Sequence, residues 1–246
     1  MIKTLIIIPA RMGSKRLPGK PLVKIRGKPM IERVWRNAIN SKVGDVYVAC
    51  CDKELEAVLI KKNIKCIYTP KNLKSGTDRV YDAYLKVKKK GKYELVINLQ
   101  GDLPYFNYHY LKKLQTLSKI KNFQMGTLVC PIVNQNKVTD KNKVKVVMSD
   151  YKKKIFKAIY FSRLPIPFGS SKYYEHIGIY AYTPKTLKNF ISLRQSKLER
   201  SESLEQLRAI ENGIDIFIKS VDKAPVSIDT KNDLKKLLET ENREKI

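Results

Sequence analysis

The sequence has few of the residues that bind transition metals or form disulfides. It contains 4 cysteines and 2 histidines among 246 residues. The cysteines show no C-x-x-C spacing and occur in apolar, strand-like stretches, so we expect buried free thiols rather than ligands or disulfides. With so few histidines, a zinc site is not expected. The cysteines are Cys50, Cys51, Cys66 and Cys130.

Long apolar runs are also missing. No stretch approaches the roughly 18 residues that a membrane span requires. A strand-like run begins within a few residues of the first residue, which leaves no room for a signal peptide. We therefore expect a cytoplasmic protein. At 246 residues, of which 43% are hydrophobic, the chain is long enough for one sizeable α/β domain.

Acidic residues are scarce relative to basic ones, at 23 against 50, which gives a formal net charge of +27. Such an excess is typical of proteins that bind nucleic acid or other anions. However, lysine outnumbers arginine, and the lysine-rich runs at 86–92 and 152–154 contain no interleaved aromatic residues of the kind that stack on bases. Three interpretations stay open: a nucleic-acid-binding protein, an enzyme for an acidic substrate, and a lysine-rich solvated surface.

Strand-like and helix-like segments alternate through the first half of the chain. This alternation predicts a mostly parallel sheet covered by helices. Ligands of such sheets gather at the carboxyl ends of the strands. The predicted strands are 3–8, 45–51, 65–69 and 94–99, and the predicted helices are 29–40, 53–62 and 75–90.

The second half is richer in strands, and its segment 123–174 lacks long helices. We expect an antiparallel extension there, with Phe156, Tyr160, Phe161, Tyr173 and Tyr174 at a candidate two-fold interface. The predicted strands are 125–133, 144–148, 154–161, 176–182, 214–220 and 226–228, and the predicted helices are 184–193, 203–212 and 230–241.

A basic loop, ARMGSKRLPGKP at 10–21, follows the first predicted strand. It is not a Walker loop, because Gly13 and Gly19 are one residue too far apart and Lys20 precedes Pro21 rather than Ser or Thr. Glycines let a backbone approach a ligand closely, and cations stabilise a polyphosphate, which for a nucleoside triphosphate carries about four negative charges. A solvated basic turn is the alternative. The cations are Arg11, Lys15, Arg16 and Lys20.

Two aspartates follow predicted strands far apart in sequence. Asp102 ends VINLQGD, and Asp229 ends APVSID immediately before the last predicted helix. Mg²⁺ prefers few carboxylates together with phosphate oxygens, so the pair is a candidate magnesium site. Alternatively, Asp102 forms a local turn hydrogen bond and Asp229 caps the helix.

Two further segments have both a structural and a functional interpretation. SGTDR at 75–79 begins a predicted helix, and could cap it or contact a nucleotide. His176 alternates with apolar positions in EHIGIY, so a buried structural histidine and a substrate contact are equally compatible with its spacing.

Taken in order, the motifs resemble those of one family. They are IPAR (8–11), RLPGKPL (16–22), SGTDR (75–79), QGD (100–102), YFSRLPIP (160–167), HIGIYAY (176–182), ESLEQLR (202–208) and IDT (228–230). Each is weak alone, but the ordered set closely resembles the CMP-Kdo synthetases, the 3-deoxy-manno-octulosonate cytidylyltransferases. The resemblance runs from residue 6 to about residue 237.

The resemblance implies transfer of CMP from CTP to the anomeric hydroxyl of 3-deoxy-D-manno-octulosonate (Kdo), with release of pyrophosphate, for lipopolysaccharide synthesis. It implies a catalytic set of Arg11, Lys20, Asp102 and Asp229, of which the two aspartates would hold Mg²⁺. The nucleotide would contact Pro9, Ala10, Arg11, Gly13, Ser14, Lys15, Arg16, Lys20, Ser75, Gly76, Thr77, Asp78, Arg79 and Gln100. The sugar would contact Gln100, Arg163, His176, Tyr180, Glu205 and Gln206.

For the fold, the resemblance implies a three-layer α/β/α, nucleotide-diphospho-sugar transferase-like domain spanning residues 1–246. Its sheet would be mixed and mostly parallel, with the strand-rich extension at 123–174 mediating a homodimer. The sequence departs from the family at Leu103, where an acidic residue is usual, and at Cys51-Asp52, where Thr-Asp is usual. An amino-substituted Kdo and a sialic acid are alternative substrates, although the loop differs from that of CMP-sialic acid synthetases.

Overall fold

The computed structural model describes residues 2–243, which fall into two compact units. The first unit comprises 5–92, 98–108 and 225–243, and the second comprises 2–4, 93–97 and 109–224. The strands are β1 (Thr4–Pro9), β2 (Lys24–Ile25), β3 (Lys28–Pro29), β4 (Asp45–Cys50), β5 (Cys66–Tyr68), β6 (Leu95–Asn98), β7 (Met125–Pro131), β8 (Lys145–Lys152), β9 (Ile155–Ser162), β10 (Tyr174–Tyr182) and β11 (Ile216–Ser220). The helices are α1 (Met30–Asn40), α2 (Lys53–Lys61), α3 (Gly76–Val87), α4 (His109–Leu117), α5 (Pro184–Ser192), α6 (Lys197–Glu202), α7 (Leu207–Glu211) and α8 (Lys231–Arg243).

The first unit is built on parallel strands in the order β5-β4-β1. Leu5 to Ile8 of β1 are completely buried, as expected for a parallel strand covered on both faces. In register, Ile6 lies opposite Val46 and Val48 lies opposite Cys66. Since the strands are parallel, their carboxyl ends share one edge, and the basic loop follows β1 at that edge.

The second unit contains strands in the order β10-β7-β11-β9-β8. Strands β7 and β11 are parallel, whereas β10 pairs antiparallel with β7 and β8 pairs antiparallel with β9. The predicted α/β class with a mixed sheet is therefore confirmed. The strands of the predicted 123–174 extension, β7 to the start of β10, belong to this unit.

Helix α4 was not predicted, although its sequence contains a helical signal. The buried residues Tyr110, Leu111, Leu114 and Leu117 recur at the three- and four-residue spacing of an amphipathic helix.

The predicted helix at 203–212 was wrong in its extent. Helix α6 ends where Ser203 adopts a left-handed conformation with φ 53°, and α7 begins four residues later. The buried Arg208 and Glu199 side chains pair at 2.6 Å, which joins the two short helices through their side chains instead of through a continuous backbone.

The predicted strand at 226–228 is also wrong, because the structure assigns no strand there. Pro225, at its start, lacks a backbone N–H for a ladder. The Ile228 N–H instead donates a single bond of 3.0 Å to the Asp102 carbonyl. This one bond brings the backbone before Asp229 next to Asp102.

The four cysteines are free thiols, three of them buried and Cys66 partly exposed. Burial raises the pKa of the Cys50 thiol to about 12, so it stays protonated and unreactive at neutral pH. Within residues 2–243, none of the helices has the length and apolar character needed to cross a bilayer.

Candidate active site

A cleft of about 410 Å³ lies in the first unit, at the carboxyl end of β1. Most of its lining comes from the segments that the sequence singled out. The lining residues are Pro9, Ala10, Arg11, Ser14, Lys15, Arg16, Lys20, Pro21, Leu73, Lys74, Ser75, Gly76, Arg79, Gln100, Gly101, Asp102 and Asp229.

The basic loop is held by backbone bonds at its two ends. The Met12 carbonyl accepts bonds from the Ser14 N–H at 2.8 Å and from the Gly19 N–H at 3.1 Å. Gly19 has φ 67° and precedes a 3₁₀ turn, Lys20–Leu22, and that left-handed backbone favours glycine. The loop therefore closes on itself and directs Lys20 into the cleft.

Asp52 anchors the same loop, and sequence reasoning missed this role. One of its carboxylate oxygens accepts a 2.8 Å bond from the Met12 N–H. Asp52 occupies the N-cap position of α2 but makes no capping bond with its side chain. Its carboxylate is used to hold the loop instead of the helix.

Lys20 links the two predicted metal-binding aspartates. Its ammonium donates to Asp102 Oδ2 at 2.8 Å and to Asp229 Oδ1 at 2.9 Å. The Arg16 guanidinium contacts the same Asp229 oxygen at 3.2 Å. The two carboxylates thus converge on one point, as predicted, although Asp229 does not follow a strand.

The carboxylate of Asp229 does not cap α8. The Thr230 hydroxyl accepts the Asp233 N–H at 3.1 Å, while the Asp233 carboxylate accepts the N–H groups of Asp229 and Thr230. Since Thr230 and Asp233 satisfy the start of the helix, the side chain of Asp229 is available to the cleft.

Asp102 is mostly withdrawn from water, with 21% of its side chain exposed. Burial raises the pKa of its carboxyl above the ordinary value, and the ammonium of Lys20 offsets this only in part. The nearby Asp229 carboxylate adds to the rise. A carboxylate in this environment favours an additional positive charge.

The SGTDR segment serves both the cleft and the start of α3. Ser75 and Asp78 form a capping box, with the Asp78 N–H donating to Ser75 Oγ at 3.1 Å. Arg79 is buried and donates to the Thr69 hydroxyl and the Pro70 carbonyl. Ser75, Gly76 and Arg79 line the cleft, whereas Thr77 and Asp78 are outside its lining.

Gly13 is likewise outside the cleft lining. A Cβ built on it would meet nothing within 4 Å, so no neighbouring protein atom requires a glycine at this position. Gly101, by contrast, lines the cleft, and a Cβ there would meet the Pro9 carbonyl oxygen at 3.1 Å. The glycine before Asp102 therefore permits close packing against the end of β1.

The cleft also contains four residues that were not among the predicted contacts: Pro21, Leu73, Lys74 and Gly101. Its lining has six cationic side chains, including Lys74, and two carboxylates, a formal excess of four positive charges. A polyphosphate of about four negative charges matches this excess. Gln100, predicted to contact both substrates, lies here and donates to Asn98 Oδ1 at 3.3 Å.

The other predicted sugar residues lie in the second unit. Desolvation by the surrounding protein lowers the pKa of His176 to about 3, so its ring is neutral at physiological pH. Its Nε2 is 3.0 Å from the Thr127 hydroxyl, and its ring packs on Phe161 and Tyr180. Burial and the Glu205 carboxylate raise the pKa of Tyr180 well above its ordinary value.

Arg163 and Gln206 differ in how their polar atoms are used. The Arg163 guanidinium donates to the carbonyls of Lys141, Glu202 and Ser203, so it organises neighbouring backbone. Gln206 is 4% exposed, and its Nε2 has no hydrogen-bond partner among the described residues. A buried amide donor without a protein partner requires a water, an ion or a ligand to satisfy it.

Glu205 lies beside Gln206, and its Oε1 is 3.7 Å from Arg208 Nη2. Lys145, which sequence reasoning missed, is completely buried and donates to the carbonyls of Asp140, Lys143 and Arg163. In the sequence, its burial is indicated only by its position inside the apolar run VKVV. A lysine buried there needs nearby hydrogen-bond acceptors.

A model of one family, described as cytidylyltransferase, matches residues 5–216. The chain belongs to the cytidylyltransferase family. The enzyme is therefore a nucleotidyltransferase, as predicted, and the cationic cleft is part of a cytidylyltransferase fold.

Similar cytidylyltransferases have more specific names. The chain is 42% identical over 234 residues to the 3-deoxy-manno-octulosonate cytidylyltransferase of Sinorhizobium medicae, covering 95% of this chain and 94% of that protein. It is 43% identical over 236 residues to the protein of the same name from Rhizobium meliloti, again covering 95% and 94%. These relatives confirm the resemblance stated from the motifs.

Solved structures support the same family membership. A CMP:2-keto-3-deoxy-manno-octonic acid synthetase complexed with CTP superposes with a TM-score of 0.88 at 37% identity, covering 98% of this chain and 99% of that one. A cytidylyltransferase from Leptospira borgpetersenii, at 18% identity and a TM-score of 0.62, covers 97% and 86% and shares the fold.

Proposed function

We propose that this cytidylyltransferase transfers CMP from CTP to the anomeric hydroxyl of Kdo, giving CMP-Kdo and pyrophosphate for lipopolysaccharide synthesis. The names of the relatives, and the CTP bound in a similar structure, support the choice of both substrates. The proposal depends on one observation in this chain: six cationic side chains and two converging carboxylates line the same cleft. That combination suits a triphosphate and a divalent metal in one place.

The proposed nucleotide contacts form two groups. Arg11, Lys15, Arg16 and Lys20 hold the phosphates, and their positive charge offsets the negative charge that develops on them during transfer. Ser75, Gly76 and Arg79 bind the nucleoside side of CTP. Both substrates are anions, so the cationic lining also reduces the repulsion that would oppose attack.

The residues present fit a magnesium ion. Asp102 and Asp229 converge within 2.9 Å of one point, and Asp102 is largely desolvated. No cluster of three or more His, Cys, Asp or Glu in residues 2–243 forms a metal site, but Mg²⁺ binds through one or two carboxylates plus substrate oxygens. A bound Mg²⁺ lowers the pKa of an attacking hydroxyl and neutralises phosphate charge.

The proposed sugar contacts are Gln100, Arg163, His176, Tyr180, Glu205 and Gln206. The Gln206 amide, buried without a partner, is suited to donate to a sugar oxygen. The Nε2 of neutral His176 is bonded to Thr127, which leaves Nδ1 for a single hydrogen bond with a substrate hydroxyl. Arg163 acts mainly by fixing the backbone near Ser203.

We also propose a cytoplasmic homodimer formed by the second unit. Ile159, Leu164 and Phe168 are exposed apolar side chains in or beside the strand-rich segment, and such residues favour protein contacts. Of the five aromatic residues predicted at the interface, Phe161 is completely buried and therefore belongs to the core.

The test is pyrophosphate release with CTP, UTP, ATP and GTP against Kdo, an amino-substituted Kdo and a sialic acid. We expect CTP with Kdo to dominate, and Asp102→Asn to lower kcat at least about a hundredfold, because a ligand of the metal is lost. Asp150→Asn removes an exposed carboxylate away from the cleft and serves as the control. Comparable turnover with ATP, or a fully active Asp102→Asn variant, would refute the proposal.

A further inference from the structure

Lys20 occupies the point where a metal ion would bridge the two aspartates. Its Nζ is 2.8 Å from Asp102 Oδ2 and 2.9 Å from Asp229 Oδ1. Mg²⁺ would need carboxylate oxygens at about 2.0–2.1 Å, and one oxygen of each aspartate is already bonded to Lys20. The ammonium and a metal ion cannot both occupy that point.

We propose that Lys20 is an internal counter-ion, which holds the aspartate pair against divalent cations until a polyphosphate draws the ammonium away. The inference rests on the proposed metal role of Asp102 and Asp229, and assigns to Lys20 a second task besides binding phosphate. Its consequence is an order of events: the metal enters with the nucleotide rather than before it.

The exposure of the side chains identifies Lys20 as the cation that competes most strongly with a metal ion for the two aspartates. The Lys20 side chain is 16% exposed and Asp102 is 21% exposed, so water screens their interaction little. Arg16 also reaches Asp229, at 3.2 Å, but it is 63% exposed and makes no ion pair with Asp102. Arg16 therefore neutralises one carboxylate weakly, whereas Lys20 bridges both.

The cleft provides a route for the exchange. Lys20 begins the turn after Gly19, and a lysine ammonium on its flexible four-carbon stem can reorient without moving the backbone. A triphosphate in the cleft offers it other anionic oxygens. Once the ammonium turns to phosphate, the two carboxylates lose their counter-ion and repel each other, which favours entry of a divalent cation.

The experiment measures Mn²⁺ binding to the protein without nucleotide, by the electron paramagnetic resonance signal of free Mn²⁺. We expect Lys20→Met to bind Mn²⁺ at least tenfold more tightly than the wild type, although its turnover falls. Lys15→Met removes the same charge from the same loop without touching either aspartate, so its affinity should change less than threefold. Adding Asp102→Asn to Lys20→Met should abolish the gain.

Lys20→Ala serves as a second variant, and thermal unfolding shows whether each variant is folded. Equal Mn²⁺ affinity in the wild type and in a folded Lys20 variant would overturn the inference. So would a gain that survives Asp102→Asn or that Lys15→Met reproduces. The two proposals fail separately: if Asp102→Asn loses turnover but Lys20→Met gains no affinity, only the counter-ion role fails. If Asp102→Asn stays active, the metal role itself is wrong.

Discussion

At the scale of single residues, the protein holds several ionisable groups in environments that change their protonation. His176 is the clearest example, because desolvation lowers its pKa to about 3 while the Thr127 hydroxyl bonds to its ring nitrogen at 3.0 Å. A histidine held neutral can orient a substrate hydroxyl without adding charge to an already cationic protein.

The first prediction concerns the pH dependence of stability. Below pH 6.5 the unfolded chain protonates His176, whereas the folded protein does so only near pH 3. Stability should therefore fall as pH decreases through that window, by up to about 1.4 kcal/mol per pH unit from this residue. Urea unfolding at several pH values between 6.5 and 4 should show a shallower loss for His176→Gln. An identical slope in both proteins would contradict the assignment.

Asp102 and Asp229 show how far residue-level reasoning reached. Their pairing at the cleft was predicted, and Lys20 now connects them. The alternative, that Asp229 caps α8, is excluded because Thr230 and Asp233 perform that task. Nothing local in the sequence distinguishes these roles, since Asp229 and Thr230 are both good N-cap residues.

At the scale of elements, the cationic loop depends on a neighbouring helix start. Asp52 accepts the Met12 N–H at 2.8 Å instead of capping α2. The Met12 carbonyl also accepts the Gly19 N–H. Met12 therefore links both ends of the loop to Asp52 at the sheet edge. Asp52 therefore positions the basic loop, whose cations are proposed to bind phosphate.

The second prediction follows from this anchor. Asp52→Ala should loosen the loop and raise the KM for CTP by about fivefold, the equivalent of about one hydrogen bond. The KM for Kdo should change less, because its proposed contacts lie elsewhere. Steady-state kinetics with each substrate varied in turn measures the split. Asp52→Asn, which keeps an acceptor oxygen, should recover most of the loss; equal effects on both substrates would indicate general unfolding instead.

Elements also show where sequence patterns mislead. The predicted alternation of strands and helices in the first half was confirmed. It could be predicted because each segment has its own spacing of apolar residues and its own start and stop residues. The segment 226–228 reads as a strand from its apolar alternation, yet it pairs through a single bond to Asp102. Whether a short apolar segment joins a sheet depends on the strand available beside it, which no local pattern encodes.

At the scale of the whole molecule, two properties remain to be tested: whether the protein forms a dimer, and whether its net positive charge binds nucleic acid. The third prediction is that the protein is a dimer by light scattering at micromolar concentration. Phe168→Asp with Leu164→Asp should give folded monomers, because charges on an apolar contact surface oppose its burial. Lys185→Asp, an exchange outside that segment, is the control. A monomeric wild type would refute the dimer.

The cleft accounts for only part of the net charge of +27. Six cations line the cleft, which leaves most lysines on other surfaces, where they are solvated. Binding to nucleic acid through these lysines would weaken steeply with salt. A salt titration against duplex and single-stranded DNA therefore separates that alternative from specific binding of CTP.

The sequence alone determined the α/β class, the cationic loop after the first strand, the family resemblance and the two aspartates. These features depend on the spacing of apolar residues and on the chemistry of single residues, and both can be identified from a short stretch of sequence. Only the tertiary structure decided that Lys20 bridges the aspartates, that Asp52 holds the loop, and that Thr77 and Asp78 lie outside the cleft lining. Lys20 and Asp229 are 209 positions apart, and such contacts arise from the folding of distant segments onto one sheet edge, where a side chain takes whichever partner the fold brings within reach.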